Sequence, residues 1–158
     1  MLTEQIAFSK STSKPIKANQ PVNKQYEFGG VSTLVDGLKG NGNYKTGRMD
    51  VTIDLQQPTE ISSVAITTCV EKGDWVFDAR SFSIEVSDDD KTFTKVASEA
   101  YPEMKETDRN GLYEHKLTFD PVKTRYVKVI ATSEHSIPAW HGGKGNPGFL
   151  FVDEITLN

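Results

Sequence analysis

Cysteine is nearly absent from this chain of 158 residues: its one cysteine, Cys69, lies in an apolar run over residues 64–70. A single cysteine forms no internal disulfide, and we expect Cys69 to be a small buried thiol. The lack of disulfides leaves the cellular compartment open, because a secreted bacterial domain of this size can fold without them.

Long apolar stretches are also missing. No run approaches the roughly 18 apolar residues of a membrane-spanning helix, and the first residues lack the basic-then-apolar layout of a signal peptide. We therefore expect the chain to be a segment excised from a larger polypeptide whose targeting signal lies elsewhere.

Positive charge is scarce and scattered. Lysine and arginine total 18 against 22 acidic residues, which gives a net charge of −4, and no basic cluster is dense enough to follow a phosphate backbone. Affinity for nucleic acid and for anionic lipid depends on such clusters. The sequence therefore predicts neither a nucleic-acid nor a membrane partner.

A helical repeat of apolar residues is lacking from end to end, whereas strand-like alternation recurs. Apolar and polar residues alternate over residues 51–55, 81–87 and 113–119. Residues 125–131 and 149–157 carry apolar side chains on both faces, which is typical of central strands. Turn residues, among them Pro58 and Pro121, are expected to separate these short strands. The pattern predicts an all-β fold, an antiparallel β-sandwich of the jelly-roll type.

The length and the apolar fraction of 36% suit a single hydrophobic core. We expect residues 1–158 to form one domain.

Catalytic patterns are missing as well. No Gly-x-Ser-x-Gly elbow occurs, Cys69 has no histidine nearby in the sequence, and His135 and His141 lack the spacing of zinc ligands. Paired carboxylates for glycoside cleavage would need a cleft that a sequence does not show. We predict that this chain is not an enzyme.

Two distant stretches carry the oxygen ligands that calcium prefers. Asp36 and Thr46 lie in a glycine-rich segment, and Glu154 lies in the last strand-like run. If the fold brings the chain ends together, these three residues could bind one Ca²⁺ with help from loop carbonyls. The alternative is that Asp36 belongs to an ordinary turn and Glu154 to a solvated strand.

Two long segments, residues 37–49 and 134–148, are rich in glycine and contain aromatic residues. Sugars stack on exposed aromatic rings while planar polar side chains bind their hydroxyls. The candidate sugar-binding residues are Trp75, Trp140, His141, Tyr44 and Arg48. The alternative for the tryptophans is a ring packed over the rim of the sandwich.

In this order, several motifs resemble a known family. They are residues 6–10, 34–37, 44–48, 51–55, 82–89 with Phe93, 125–129 and 151–155. Together they resemble the discoidin, or coagulation factor V/VIII type C, domain with its galactose-binding-like fold. Within that superfamily they are most similar to family 32 carbohydrate-binding modules of bacterial glycoside hydrolases. The resemblance implies a buried Ca²⁺ whose ligands match Asp36, Thr46 and Glu154, supplemented by carbonyls of residues 37–43.

A narrower likeness rests on residues 44–48, 138–141 and 149–155. These stretches resemble the C-terminal accessory domain of Bacteroidetes chitobiases and β-hexosaminidases, which implies a link to an enzyme acting on N-acetylglucosamine-containing glycans. The sequence departs from that pattern at Met49, where such domains commonly have tryptophan.

The resulting hypothesis is a calcium-stabilised, non-catalytic module that targets a linked glycosidase to a glycan containing N-acetylglucosamine or galactose. The expected location is outside the bacterial cytoplasm, in the periplasm, at the cell surface or beyond it. The main alternative is a structural or protein-docking accessory domain that binds no sugar. Lipid binding and free-standing hydrolysis are weaker alternatives.

Overall fold

The structure is a computed structural model that describes residues 5–6, 9–20, 34–35, 38–39, 44–46 and 48–158. Nine strands lie within those ranges. They are β1 (Gln5–Ile6), β2 (Ile16–Ala18), β3 (Leu38–Lys39), β4 (Tyr44–Thr46), β5 (Arg48–Val70), β6 (Ser81–Ser87), β7 (Thr94–Ala100), β8 (Gly111–Thr132) and β9 (Leu150–Leu157). A short 3-10 helix, Lys72–Asp74, follows β5. Nowhere in the described ranges is there a helix long and apolar enough to cross a bilayer.

The two long strands β5 and β8 pair along almost their whole length. Arg48 lies opposite Thr132 at one end of this ribbon, and Val70 lies opposite Gly111 at the other. Within the ribbon, β6 pairs with the second half of β8 and not with the first, whereas β9 pairs with the second half of β5 and not with the first. The ribbon therefore runs through two layers. The first layer also contains β2, β6 and β7, and the second also contains β4 and β9.

A sharp corner in β5 separates the two layers. The pairing with β8 is interrupted between Asp54 and Thr59, and Gln56 adopts a φ of 72°. The Asp54 carboxylate accepts the Gln56 N–H at 2.7 Å and two N–H groups of Arg125 at 2.9 and 3.1 Å. Strands that change sheets do so at bends of this kind. Asp54 and Arg125 thus hold the corner in place.

Side chains from both layers meet in one apolar core. In the first layer β5 turns Val51, Ile53 and Leu55 inward, and in the second layer Ile66 and Leu157 face them; each is at most 1% exposed. Alternation with outward polar residues is what two packed sheets require. The predicted antiparallel sandwich is confirmed.

Two predicted turns are bends within strands. Pro58 and Pro121 were expected to separate short strands, but they lie inside β5 and β8 at the places where the pairing is interrupted. Proline cannot donate to a ladder, so it is accommodated at such a break without reversing the chain. The apolar run at residues 64–70 is accordingly the second half of β5. Cys69 is only partly buried, because it lies on the outward side of that half.

Met49 is fully buried on the inward side of β5. The position at which similar domains commonly have tryptophan is therefore a core position in this chain.

Replacing Met49 with alanine should lower the free energy of unfolding by about 2–5 kcal/mol, since the lost side chain leaves a cavity. Urea denaturation measures this change. The volume-conserving Met49→Leu variant should lose less than about 1.5 kcal/mol. Equal losses for the two variants would contradict the core assignment.

Candidate functional site

Three loops meet at one end of the sandwich, which we call the loop end. They are residues 71–80, residues 101–110 and residues 133–149. The Phe149 N–H donates to the Trp75 carbonyl at 2.8 Å, which joins the first loop to the third. The Lys72 ammonium donates to the carbonyls of Glu106 and Asp108, which joins the first loop to the second. Each loop is therefore positioned by the other two.

A small second core lies under these loops. Val70, Phe77, Met104 and Ile137 are buried together, and Trp140 packs partly against them. Because each loop contributes at least one of these apolar side chains, the loop end has its own packed base. Burial of this kind makes a loop surface rigid enough to present a site.

Trp140 belongs mainly to that base. Its indole N–H donates to the Met104 carbonyl at 3.1 Å, and its ring lies 6.1 Å from the Phe77 ring centroid. A half-buried indole with its N–H bonded internally serves packing first. The expected role of Trp140 in sugar binding stays a prediction, and the packing alternative describes the observed contacts.

His141 links two of the loops through both ring nitrogens. Nδ1 accepts the Gly143 N–H at 2.9 Å, so Nε2 carries the proton and donates to the Lys72 carbonyl at 2.7 Å. The same carbonyl accepts the Trp75 N–H at 3.1 Å. With both ring nitrogens engaged, His141 holds Lys72 and Gly143 in position.

Trp75 is the exposed aromatic residue of the loop end. It ends the 3-10 helix with a φ of 64°, and 37% of its surface is exposed. A Cβ at Gly143 would lie 2.8–3.2 Å from three adjacent indole atoms, so the glycine backbone packs directly on the ring. In the described ranges its indole N–H has no hydrogen-bond partner. This ring fits the role predicted for it.

An open groove of about 590 Å³ lies in the same loop end. It is lined by residues 134–139 together with Arg80, Glu103, Lys144 and Gly145. Glu134 is 1% exposed, and both of its carboxylate oxygens accept N–H groups of Arg80 at 2.8 and 2.9 Å. Arg80 also donates to the Tyr101 carbonyl at 2.9 Å, which fixes the guanidinium against the second loop.

The Arg80–Glu134 pair was not foreseen from the sequence. The two residues are 54 positions apart, and each stands next to a strand end in ordinary polar surroundings. No local pattern marks such a pair. Arg80 and Glu134 meet because Ser81 of β6 pairs with Thr132 of β8, and this pairing places the two nearby residues side by side.

Arg48 and Tyr44 lie on the strands that lead into the loop end. Arg48 is exposed at the start of β5, with one guanidinium nitrogen 3.4 Å from Asp50. Tyr44 pairs with Val152 through the backbone of β4, and its side chain is outside the described part of the chain. Both stay predictions as sugar-binding residues.

Glu154 is buried in β9 at 1% exposed, and the preceding Asp153 is 2% exposed. A bulge explains why two adjacent carboxylates are both enclosed. Thr67 pairs with Glu154 whereas Thr68 pairs with Val152, so Asp153 is the extra residue. In a bulge, consecutive side chains approach one face of the sheet. Both carboxylates therefore lie on the outer side of the second layer.

The neighbouring thiol supports this placement. Burial, and then the nearby Asp153 carboxylate, raise the pKa of Cys69, which lies on the same outer side of β5. Two buried carboxylates, those of Asp153 and Glu154, thus lie together at one end of the predicted calcium site.

The other two predicted ligands are Asp36 and Thr46. Asp36 lies outside the described residues, and Thr46 pairs with Leu150, four residues before Glu154. Four strand positions correspond to about 13 Å. This register does not bring the backbones of Thr46 and Glu154 side by side. In the ranges with described side chains, no three acidic, histidine or cysteine residues form a metal cluster. The complete set Asp36, Thr46 and Glu154 remains a prediction.

A buried acid network lies beside the second core. Asp78 is 8% exposed and accepts hydrogen bonds from the Thr68 hydroxyl at 2.6 Å and from His115 Nε2 at 2.8 Å. The Tyr101 ring stacks on the His115 ring at 4.4 Å between centroids. Burial, followed by the Glu99 and Asp78 carboxylates, raises the pKa of Tyr101 to about 12.

The fold and the loop end define a class of domain, a jelly-roll β-sandwich whose long loops gather at one end. Residues 10–147 match the family model described as the F5/8 type C domain. Because the match spans most of the sequence, the chain belongs to the F5/8 type C, or discoidin, domain family. A comparison with curated proteins found no match.

Similar folds occur among solved structures. Chitosan-binding module 1 of a chitosanase/glucanase from Paenibacillus sp. IK-5 has a TM-score of 0.64 and 17% identity, with 96% of this chain and 98% of that chain covered. CpGH89CBM32-5 from Clostridium perfringens, in complex with GalNAc-β-1,3-galactose, has a TM-score of 0.63 and 19% identity, covering 92% and 94%. A Ruminococcus gnavus GH29 fucosidase in complex with fucose has a TM-score of 0.61 and 12% identity, covering 95% of this chain but 26% of that one. At these identities the likeness is one of fold.

The raised pKa of Tyr101 gives a pH prediction. An unfolded tyrosine ionises near its ordinary pKa of 10.0, before the folded phenol does at about 12. Stability should therefore be unaffected by this group below pH 10 and should fall as the pH rises from 10 toward 12. Tyrosinate absorbance should show a late-titrating phase that the Tyr101→Phe variant lacks. Superimposable titrations of the two proteins would contradict it.

Proposed function

We propose that this chain is a non-catalytic carbohydrate-binding module whose loop end holds a sugar. The observation that carries the proposal is Trp75, a 37% exposed indole that shares the loop end with an open polar groove. A pyranose offers an apolar face to such a ring, while its hydroxyls need polar partners around it. Modules of this fold from Paenibacillus and Clostridium perfringens are described as binding chitosan and GalNAc-β-1,3-galactose, which supports the same class of ligand here.

The charges of the groove favour a neutral glycan. Arg80 and Glu134 neutralise each other, and the exposed Lys144 and Glu103 add one charge of each sign. A strongly charged sugar would need an excess of one sign. We therefore favour glycans that contain N-acetylglucosamine or galactose. Because both oxygens of Glu134 are engaged by Arg80, this carboxylate suits a structural role better than acid–base catalysis.

A linked glycosidase would make use of such a module. A domain of this fold occupies about a quarter of the GH29 fucosidase chain from Ruminococcus gnavus, which supports a similar arrangement for this chain. We propose a parent enzyme of the chitobiase or β-N-acetylhexosaminidase type that acts outside the cytoplasm or at the cell surface. Weak binding at one site then raises the local concentration of the enzyme on its polymer.

Calcium is proposed as a structural ion on the outer side of β9. Buried carboxylates are stable only when cations or hydrogen-bond donors compensate them, and carboxylate oxygens are the ligands that Ca²⁺ prefers. Glu154 and its neighbour Asp153 supply such oxygens, and the predicted ligands Asp36 and Thr46 would complete the set. The ion would fasten β9 to the segment that precedes β5.

A second candidate function rests on Trp140 and His141. Their polar atoms are bonded to the backbone of neighbouring loops, as expected for a domain whose rim is built for packing. Such a domain would dock on its own catalytic partner and bind no sugar. A glycan array with the isolated chain separates the two functions, since only the module proposed first retains a glycan.

Replacing Trp75 with alanine should weaken sugar binding about tenfold, the loss expected when an aromatic platform worth about 1.4 kcal/mol is removed. Calorimetric titration with the glycan selected on the array measures this change. Unaltered affinity would exclude Trp75 from the site.

Neighbouring glycines provide a matched pair for the same site. Gly143→Ala should also weaken binding, because the new Cβ would lie 2.8 Å from the Trp75 ring and displace it. Gly142→Ala should bind as the unchanged chain does, because nothing lies within 4 Å of its Cβ position. If both variants bind equally well, the position of the Trp75 ring does not matter for the ligand.

Removal of calcium should lower the melting temperature by about 5–10 °C, as expected for an ion present at about 100 times its dissociation constant. Differential scanning calorimetry with and without chelator tests this. The Glu154→Gln variant should melt at the same temperature in both conditions, while Glu99→Gln, on the exposed edge strand β7, should keep the response. A chelator effect that persists in Glu154→Gln would remove Glu154 from the ligand set.

A further inference from the structure

A second cavity lies on the outer face of the first layer, beside the β5 corner. It has a volume of about 270 Å³, and the residues that shape it include Ile16, Lys17, Thr52, Asp54, Asp90 and Tyr126. We call it the sheet-face pocket. None of these residues belongs to the loop end.

Three adjacent strands form its floor. Lys17 of β2 pairs with Thr52 of β5, and Asp54 of β5 pairs with Tyr126 of β8. The turn between β6 and β7 reaches over from the other side, where Asp90 forms a 2.5 Å ion pair with Lys17. Segments distant in sequence therefore enclose one cavity.

The floor presents polar groups in fixed positions. Thr52 is 3% exposed, and its hydroxyl oxygen accepts the Asn19 amide N–H at 2.9 Å, which leaves the hydroxyl proton for a ligand. The Asp54 carboxylate is oriented by Arg125, and the hydrogen bond from Arg125 lowers the pKa of Asp54. Asp54 is thus an acceptor at neutral pH. The hydroxyl of Tyr126 forms no hydrogen bond with the described part of the chain.

Apolar atoms line part of the sheet-face pocket, and each charged side chain in it is paired with one of opposite charge. Pro15, Ile16 and Tyr126 are the lining residues with apolar atoms, and the Ile16 side chain also packs against the core. Lys17 is paired with Asp90, and Asp54 is paired with Arg125. A cavity with an aromatic ring, convergent donors and acceptors, and no net charge suits a compact neutral polyol.

We propose that the sheet-face pocket is a second saccharide-binding site that takes one neutral pyranose ring. Tyr126 and Thr132 are six residues apart on β8, so the pocket lies about 20 Å along the strand from the loop end. If the pocket and the loop end bind the same polymer chain, the overall affinity exceeds that of either site alone. The proposal shares the ligand class of the proposed function but none of its residues.

Nuclear magnetic resonance titration of the isotope-labelled chain tests this, with N-acetylglucosamine, galactose and N,N′-diacetylchitobiose as probes at up to about 50 mM, a range that detects millimolar affinity. At least one probe should shift the amide signals of residues 16–17, 52–54 and 126. If none of the three probes shifts these signals, the proposal is overturned.

Two variants assign any such shift to the pocket. Thr52→Val removes the hydroxyl at nearly constant volume. Lys17→Met removes the ammonium of a side chain that is 56% exposed, so this variant should fold as the unchanged chain does. Each should weaken binding at the pocket at least fivefold. Pocket shifts of unchanged affinity in both variants would also overturn the proposal.

The Trp75→Ala variant separates this site from the loop end. It should weaken about tenfold the affinity read from sugar-induced shifts near residues 71–80 and leave the affinity read around Thr52 unchanged. If every shift around Thr52 disappears with Trp75, the sheet-face pocket is not an independent site and the proposal fails, while the proposed function stands. Pocket shifts without any loop-end shifts would support the pocket and reject the loop-end function.

Discussion

The pairing of β5 with β8 is the interaction on which the rest of the structure depends. This ribbon is folded once, at the corner held by Asp54 and Arg125, so that its two ends return to the same side of the molecule. Every connection that leaves the ribbon at Val70, Gly111 or Thr132 consequently begins at the loop end. The gathering of the loops is therefore a result of the fold of the ribbon, and the packed base under the loops stabilises what the ribbon has already assembled.

The same corner also shapes the part of the first layer that lies farthest from the loop end. Asp54 must face outward to accept hydrogen bonds from Gln56 and Arg125. Its outward neighbours Thr52 and Tyr126 line the sheet-face pocket with it. Asp54, which fixes the backbone at the corner, thus also lines this cavity. In the proposed second site, Asp54 therefore combines a structural role with a binding role.

Sequence alternation was sufficient for the fold, since residues 51–55 and 81–87 face one core and their partners on β8 match them. It was insufficient where the backbone departs from regular pairing. Pro58 was interpreted as a turn because the sequence does not distinguish a reversal from a corner. The bulge at Asp153 was missed because one extra residue changes the face of a strand without changing its composition. The exposure of Trp75 could be predicted from its position in a loop. The contact between Arg80 and Glu134 could not, because it depends on the pairing of distant strands.

Residue type alone does not show which polar atoms of a loop residue are already bonded within the protein. Trp140 and His141 have the side chains expected of a sugar site, yet their polar atoms bind backbone groups of other loops, and a sequence carries no information about such partners. His141 nevertheless affects the exposed ring. The Lys72 carbonyl accepts both the His141 Nε2–H and the Trp75 backbone N–H, and His141 Nδ1 accepts the N–H of Gly143, the glycine on which the Trp75 ring packs. One carbonyl and one imidazole therefore fix both the backbone and the ring of Trp75, so the position of the exposed indole depends on His141.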